Sequence, residues 1–298
     1  MPLPPLYKYL DVQGAQLTLA NRTFKHARPS DFNDTEDLTI QSIFPDETEM
    51  ALKKLQCGFM DVILQHLNDP PKCGSPMRER VALIQHVYRT NPEAAGVIKA
   101  ELAKEGAKPA FDVDYMRLQE EAFLKELNEH MQAYRVLCVT TDKDSEKMWS
   151  CYAENHKGIA LRIEPDLARD SKFQLFRPVI YREKRPPLYE DALEFIAGSL
   201  FEDLETRVKT MLEKIVYTKT LEWAHENEYR LAMPMRQSEK PWNTLPYHSE
   251  EIVELYLGLA IERANIDCVV GMALAVNPNI AIFRAKREPS GRLGFDRV

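Results

Sequence analysis

The sequence predicts an α+β fold of mixed strand order with a helical insertion over residues 45–132. Three observations predict it. Segments with period-2 alternation, such as Gly158-Ile159-Ala160-Leu161-Arg162-Ile163, stand on both sides of the middle of the chain. Between them apolar residues recur at threes and fours, as in Leu52, Leu55, Phe59, Val62 and Ile63. There is no regular strand–helix alternation and no Gly-rich phosphate loop, so neither a Rossmann nor a P-loop site is supported.

Taken in order, residues 6–19 read as two short strands around Gly14. Residues 28–37 are rich in Pro, Ser, Asn and Asp and read as an irregular polar loop. Helices are predicted around residues 52–66, 78–89, 92–105 and 114–132, the last with a stripe of Tyr115, Leu118, Leu127 and Met131. The texture then changes. Residues 136–140 read as a buried strand, 144–156 as a short helix or structured loop, and 158–163 and 173–181 as strands. Residues 190–217 are helical in pattern, and 228–233 form a strand closed by Pro234. Strands at 252–257 and 280–284 flank a short helix near 260–265. The chain reads as one α+β domain over residues 1–298.

A net charge of −7 argues against broad, non-specific nucleic-acid binding. No apolar run reaches membrane-spanning length, and Met1-Pro2-Leu3-Pro4-Pro5 lacks the basic start and apolar core of a signal peptide. A cytoplasmic protein without a membrane partner is expected. The five cysteines form no CxxC pair, and His26, His156 and His225 share no metal-ligand spacing, so no bound metal is expected.

The richest segment holds Lys219, Trp223, Glu226, Glu228 and Arg230. Spacings of two place Glu226, Glu228 and Arg230 on one face of a strand. On an exposed face this is a Glu–Arg ladder worth little. Lining a cleft, like charges perturb each other and the arginine holds a carboxylate ionised. A second constellation is Met148-Trp149-Ser150-Cys151-Tyr152, followed by His156 and Gly158, with two aromatics on one side of a helical turn. The pair either clamps a planar ring or anchors the turn to the core. Asn33 and Asp34 sit in the early loop, where such residues usually bond their own backbone. Tyr7, Lys8 and Tyr9 open the chain on a strand, at an exposed edge or at the rim of a cleft.

These features, in this order, resemble a widespread and mostly prokaryotic family catalogued as a domain of unknown function, DUF2971. The likeness rests on Tyr7-Lys8-Tyr9, Phe32-Asn33-Asp34, the Trp149 to Gly158 motif, Tyr181, and Lys219 to Arg230. The chain departs from the family at Thr35, at Val139-Thr140 and at Cys151. The motif order also resembles that of ADP-ribosyltransferases. That resemblance implies a mainly antiparallel β core of two small sheets around a cleft, with NAD as substrate.

On this reading Glu228 is the catalytic carboxylate, and Glu226 acts on the acceptor side as a general base. Tyr9, Trp149 and Tyr152 shape the NAD pocket, Lys8 meets phosphate and Thr140 supports. Arg230 either meets phosphate or orients Glu228. Asn33, Asp34, His156, Tyr181, Lys219 and Trp223 support the site. A protein or nucleic-acid acceptor, or water, completes the reaction, and a role in phage defence or as a toxin is what the resemblance implies. Two other readings compete. In a metal-dependent nuclease or phosphoesterase, Asp34, Glu226 and Glu228 would hold Mg²⁺ with Lys219 assisting. In a ligand-sensing or protein-binding module, the glutamates would be a structural ladder.

Overall fold

The structure is a computed structural model and describes residues 3–102, 112–235 and 241–298. β1 (Leu6–Leu10) leads through Asp11 into α1 (Val12–Asn21), where the alternation of Leu17 and Leu19 predicts a strand instead. Asp11 accounts for the difference. Its side chain caps the helix by accepting from the Gly14 N–H at 2.6 Å, and such a cap outweighs four residues of alternation.

β2 (Thr23–Lys25) and a 3-10 turn at Pro29–Asp31 follow. Next come α2 (Thr48–Gln65), α3 (Met77–Thr90), α4 (Pro92–Leu102) and α5 (Val113–Met131). The end of the predicted 92–105 helix lies outside the described residues. β3 (Tyr134–Thr140), α6 (Glu146–Tyr152) and β4 (Ile159–Ile163) match the predicted pattern. The predicted strand at 173–181 is instead a 3-10 turn, Lys172–Leu175, then β5 (Arg177–Pro178) and β6 (Ile180–Arg182). The chain closes with α7 (Ala192–Phe201), α8 (Leu204–Val216), β7 (Thr218–Thr220), β8 (Glu228–Pro234), β9 (Thr244–Pro246), β10 (Ile252–Leu257), α9 (Arg263–Val276), β11 (Ala281–Arg287) and β12 (Leu293–Arg297).

The chain divides into two compact units. One comprises Leu38–Met131 and Arg185–Val216, so α7 and α8 join the helices of the predicted insertion. Val62, Ile63, Val81, Leu200 and Phe201 pack in its core. Of the predicted α5 stripe, Met131 is buried while Tyr115 and Leu118 are exposed.

The other unit comprises Met1–Asp37, Gln132–Lys184 and Tyr217–Val298. Its sheet has eight strands in the order β12-β11-β10-β4-β1-β3-β8-β5. β10 and β11 are parallel; the other neighbours are antiparallel. β2–β9 and β6–β7 form two small ribbons. The expectation of two small sheets is corrected: one long sheet carries the β core. What joins its halves is narrow. β1 pairs with β4 along its whole length but meets β3 at Tyr7↔Thr140 alone.

α1 and α9 contribute Ala15, Leu19, Val269 and Ala273 to a core with Leu137, Leu161, Leu231 and Leu255. Tyr7, Tyr9, Trp149, Ala160 and Tyr256 form a second cluster. Period-2 geometry on β8 sends Leu231 inward and turns Glu228 and Arg230 to the opposite face. Close approaches at Gly158 and Gly258 set the segment before β4 between the ends of β1 and β10. A Cβ at Gly158 would overlap the Leu10 carbonyl oxygen, and one at Gly258 the carbonyl oxygen of His156.

His26 is buried, with Nδ1 on the Phe24 carbonyl oxygen at 3.1 Å and no partner for Nε2 among the described residues. Burial holds its pKa down to about 4, against 6.5 for an exposed histidine. As pH falls from 6.5 toward 4, the unfolded chain gains a proton that the folded one does not, so stability is lost across that window. A His26→Gln protein should show a flatter dependence of melting temperature on pH over this range. An unchanged slope would contradict the assignment.

Candidate functional site

The site forms where β1 and β3 part. Beyond Tyr7↔Thr140, the edge of β3 is not continued by β1. At its far end Val136 exchanges both backbone bonds with Ala27, at 2.8 and 2.9 Å. Between these two pairings the Cys138 carbonyl accepts from the Lys8 ammonium at 3.0 Å. A lysine side chain thus occupies a ladder position that a backbone N–H would fill in a continuous sheet. The gap opens into a cavity of about 570 Å³, within the range of small-molecule sites.

The cavity wall includes Tyr7, Tyr9, Phe32 and Tyr152, and its polar lining includes Lys8, Thr140, Lys219, Glu226 and Glu228. Burial lowers the pKa of Lys8, against the opposing pull of Glu228 and Glu226. Its hydrogen bond to Cys138 leaves the ammonium further donors to offer a ligand.

Glu226 ends the 3-10 turn Leu221–Glu226, and Glu228 opens β8. The link between them, Asn227, is left-handed at φ 42°, a conformation asparagine tolerates. Both carboxylates are buried beside the cavity, which sets aside the exposed Glu–Arg ladder. Glu226 accepts from the Tyr152 hydroxyl at 2.5 Å and from Lys219 at 2.6 Å. Glu228 accepts from Arg230 Nε at 2.8 Å on one oxygen. On the other it accepts from an Arg230 terminal nitrogen at 3.0 Å and from Lys219 at 3.4 Å. Burial alone would raise the pKa of Glu228, but Arg230 and Lys219 outweigh it and hold the carboxyl at about 2. Burial pushes the Cys138 thiol well up, and the Glu228 charge adds to this, so it is no thiolate nucleophile.

Arg230 is fully buried. Its other side grips Asp37, at 3.0 and 2.5 Å. It does not line the cavity and reaches it only through Glu228, which it holds by two hydrogen bonds. Lys219 also lies 3.7 Å from Asp37 and sits over the Trp223 ring at 4.5 Å. Three carboxylates and two cations thus form one buried network with a formal excess of negative charge. The Tyr181 hydroxyl backs it by accepting the Glu228 N–H at 2.9 Å.

Trp149 stands apart from the lining. It is fully buried, donates to the Lys143 carbonyl at 2.9 Å, and packs edge-on against Tyr9 at 5.0 Å. His156 stacks parallel to it at 5.9 Å and pairs with Glu146 at 3.1 Å. Trp149 and His156 therefore fix the cavity wall from behind. Asn33 lines the cavity. Asp34 accepts the Glu36 N–H at 3.0 Å in its own turn. Among the described residues no group of His, Cys, Asp and Glu side chains is arranged to hold a metal ion, so Asp34, Glu226 and Glu228 are not brought together as one. No helix among the described residues is long and apolar enough to cross a membrane. Phe32 belongs to the Phe32-Asn33-Asp34 motif, but nothing in that motif marked its ring as cavity wall; Asp37 closes the same loop and carried no signal of its ion pair with Arg230.

Residues 148–231 match the family described as "Protein of unknown function (DUF2971)". The chain is similar to that family from α6 to the middle of β8, a stretch that holds Tyr152, Lys219, Glu226, Glu228 and Arg230. No curated protein and no solved structure matches the chain.

Proposed function

We propose that the cavity between β1 and β3 binds NAD and that the protein cleaves the nicotinamide–ribose bond, as an ADP-ribosyltransferase or NAD glycohydrolase does. The observation that carries this reading is the convergence of Glu226 and Glu228 on a cavity that also presents Lys8 and aromatic walls. Cleavage builds positive charge on the ribose, as in glycoside cleavage. Glu228, ionised and pinned by Arg230, supplies a fixed negative charge that needs no reorganisation. Lys8 neutralises a pyrophosphate oxygen. Phe32 offers a ring to the planar nicotinamide, a task the buried Trp149 leaves to it. Glu226 takes the proton of the acceptor.

Lys8→Ala tests the binding half. Loss of one charge-assisted hydrogen bond should weaken NAD binding by about 10-fold or more in titration calorimetry. Equal affinity in the variant would contradict this placement of the pyrophosphate.

A further inference from the structure

Glu226 is less accessible than its role as a base requires. It is buried, and each of its oxygens already accepts from a protein donor: Tyr152 at 2.5 Å and Lys219 at 2.6 Å. Tyr152 is half-buried where Glu226 is buried, and both line the cavity, so Tyr152 is the more exposed of the two residues to a molecule entering there.

We propose that Tyr152 is itself a catalytic residue, passing the proton of a hydroxyl-bearing acceptor, water or an alcohol, on to Glu226. This rests on the NAD-cleavage reading and adds the route of the proton and the acceptor class. The acceptor oxygen forms a bond to the ribose anomeric carbon. The carbon–nitrogen bond to nicotinamide breaks, and its electron pair leaves on the ring nitrogen. The acceptor proton moves to the Tyr152 oxygen as the proton of Tyr152 moves to Glu226.

A hydroxyl acceptor suits this geometry. Its proton becomes strongly acidic only as the new bond forms, and a phenol oxygen already donating to a carboxylate is a ready receiver. Burial and the bond to Glu226 both raise the pKa of the phenol, so no free phenolate accumulates and the two transfers occur together. Lys219 holds Glu226 from its other oxygen and fixes the carboxylate toward Tyr152.

The test follows nicotinamide release from NAD in water and with added methanol, by the wild type, Tyr152→Phe, Glu226→Gln and the double variant. Each single variant should lower kcat by about 10²-fold or more with KM little changed, and the double variant should be no worse than either. The wild type should show a normal solvent deuterium isotope effect that vanishes in Tyr152→Phe. Unchanged NAD affinity by calorimetry would show that Tyr152→Phe is folded with its pocket intact. A Tyr152→Phe protein that keeps its rate or its isotope effect overturns the relay and leaves NAD cleavage standing. A wild type that releases no nicotinamide overturns both.

Discussion

Arg230→Met should destabilise the protein by about 3–5 kcal/mol, the largest stability effect expected of any single change at the site. Methionine keeps much of the volume, so the loss is electrostatic rather than a cavity. Arg230 gives Glu228 two hydrogen bonds, at 2.8 and 3.0 Å, and closes on Asp37 with its third nitrogen and with one of the two it already gives Glu228. Without it, the buried carboxylates of Glu228 and Asp37 lose the cation they share, while Lys219 stays at 3.4 and 3.7 Å from them. Leaving buried charge uncompensated costs far more than the pair contributes over an apolar substitute. Adding Asp37→Asn to Arg230→Met removes one of the carboxylates that Arg230 held and should recover part of the loss, because coupled sites are not additive. Urea denaturation of both variants checks this. A wild-type midpoint in Arg230→Met would contradict the network.

Glu228→Gln should keep the fold and NAD binding while lowering turnover by about 10²–10³-fold, the scale seen when one preorganised electrostatic group is removed. Glutamine fills the same space and still accepts from Arg230, and Asp37 remains to balance the guanidinium. The same substitution has a signature in acid. The native carboxyl titrates at about 2 and an ordinary glutamate near 4.5. Stability supplied by ionised Glu228 is therefore complete above 4.5 and is lost as pH falls from there toward 2. Glu228→Gln should lose that part of the acid transition. Were the variant equally acid-sensitive and fully active, Glu228 would be neither the charge stabiliser nor the pinned carboxylate described above.

What could be read from the sequence follows physical range. The alternation of Glu228, Tyr229, Arg230 and Leu231 is local, and β8 places them as that period requires. Trp149 and Tyr152 do share a helix side, but spacing does not say how deep each sits. One is fully buried behind Tyr9 and the other lines the cavity. α1 was masked by a chance alternation, and its signal was a single cap at Asp11. Asp37 was illegible because its partner Arg230 lies 193 residues away. Lys8 was hardest to place. Strand parity groups it with Leu6 and Leu10, and only the parting of β1 from β3 lets its ammonium reach Cys138. Whether the core is one sheet or two turns on the same Tyr7↔Thr140 bridge, a pairing no local pattern announces.

Nicotinamide release from NAD by the purified protein, measured beside Glu228→Gln, tests NAD cleavage at this cavity most directly. Steady release by the wild type and its near-complete loss in the variant are expected, with both proteins folded and both binding NAD. Absence of release together with absence of NAD binding in the wild type would contradict it.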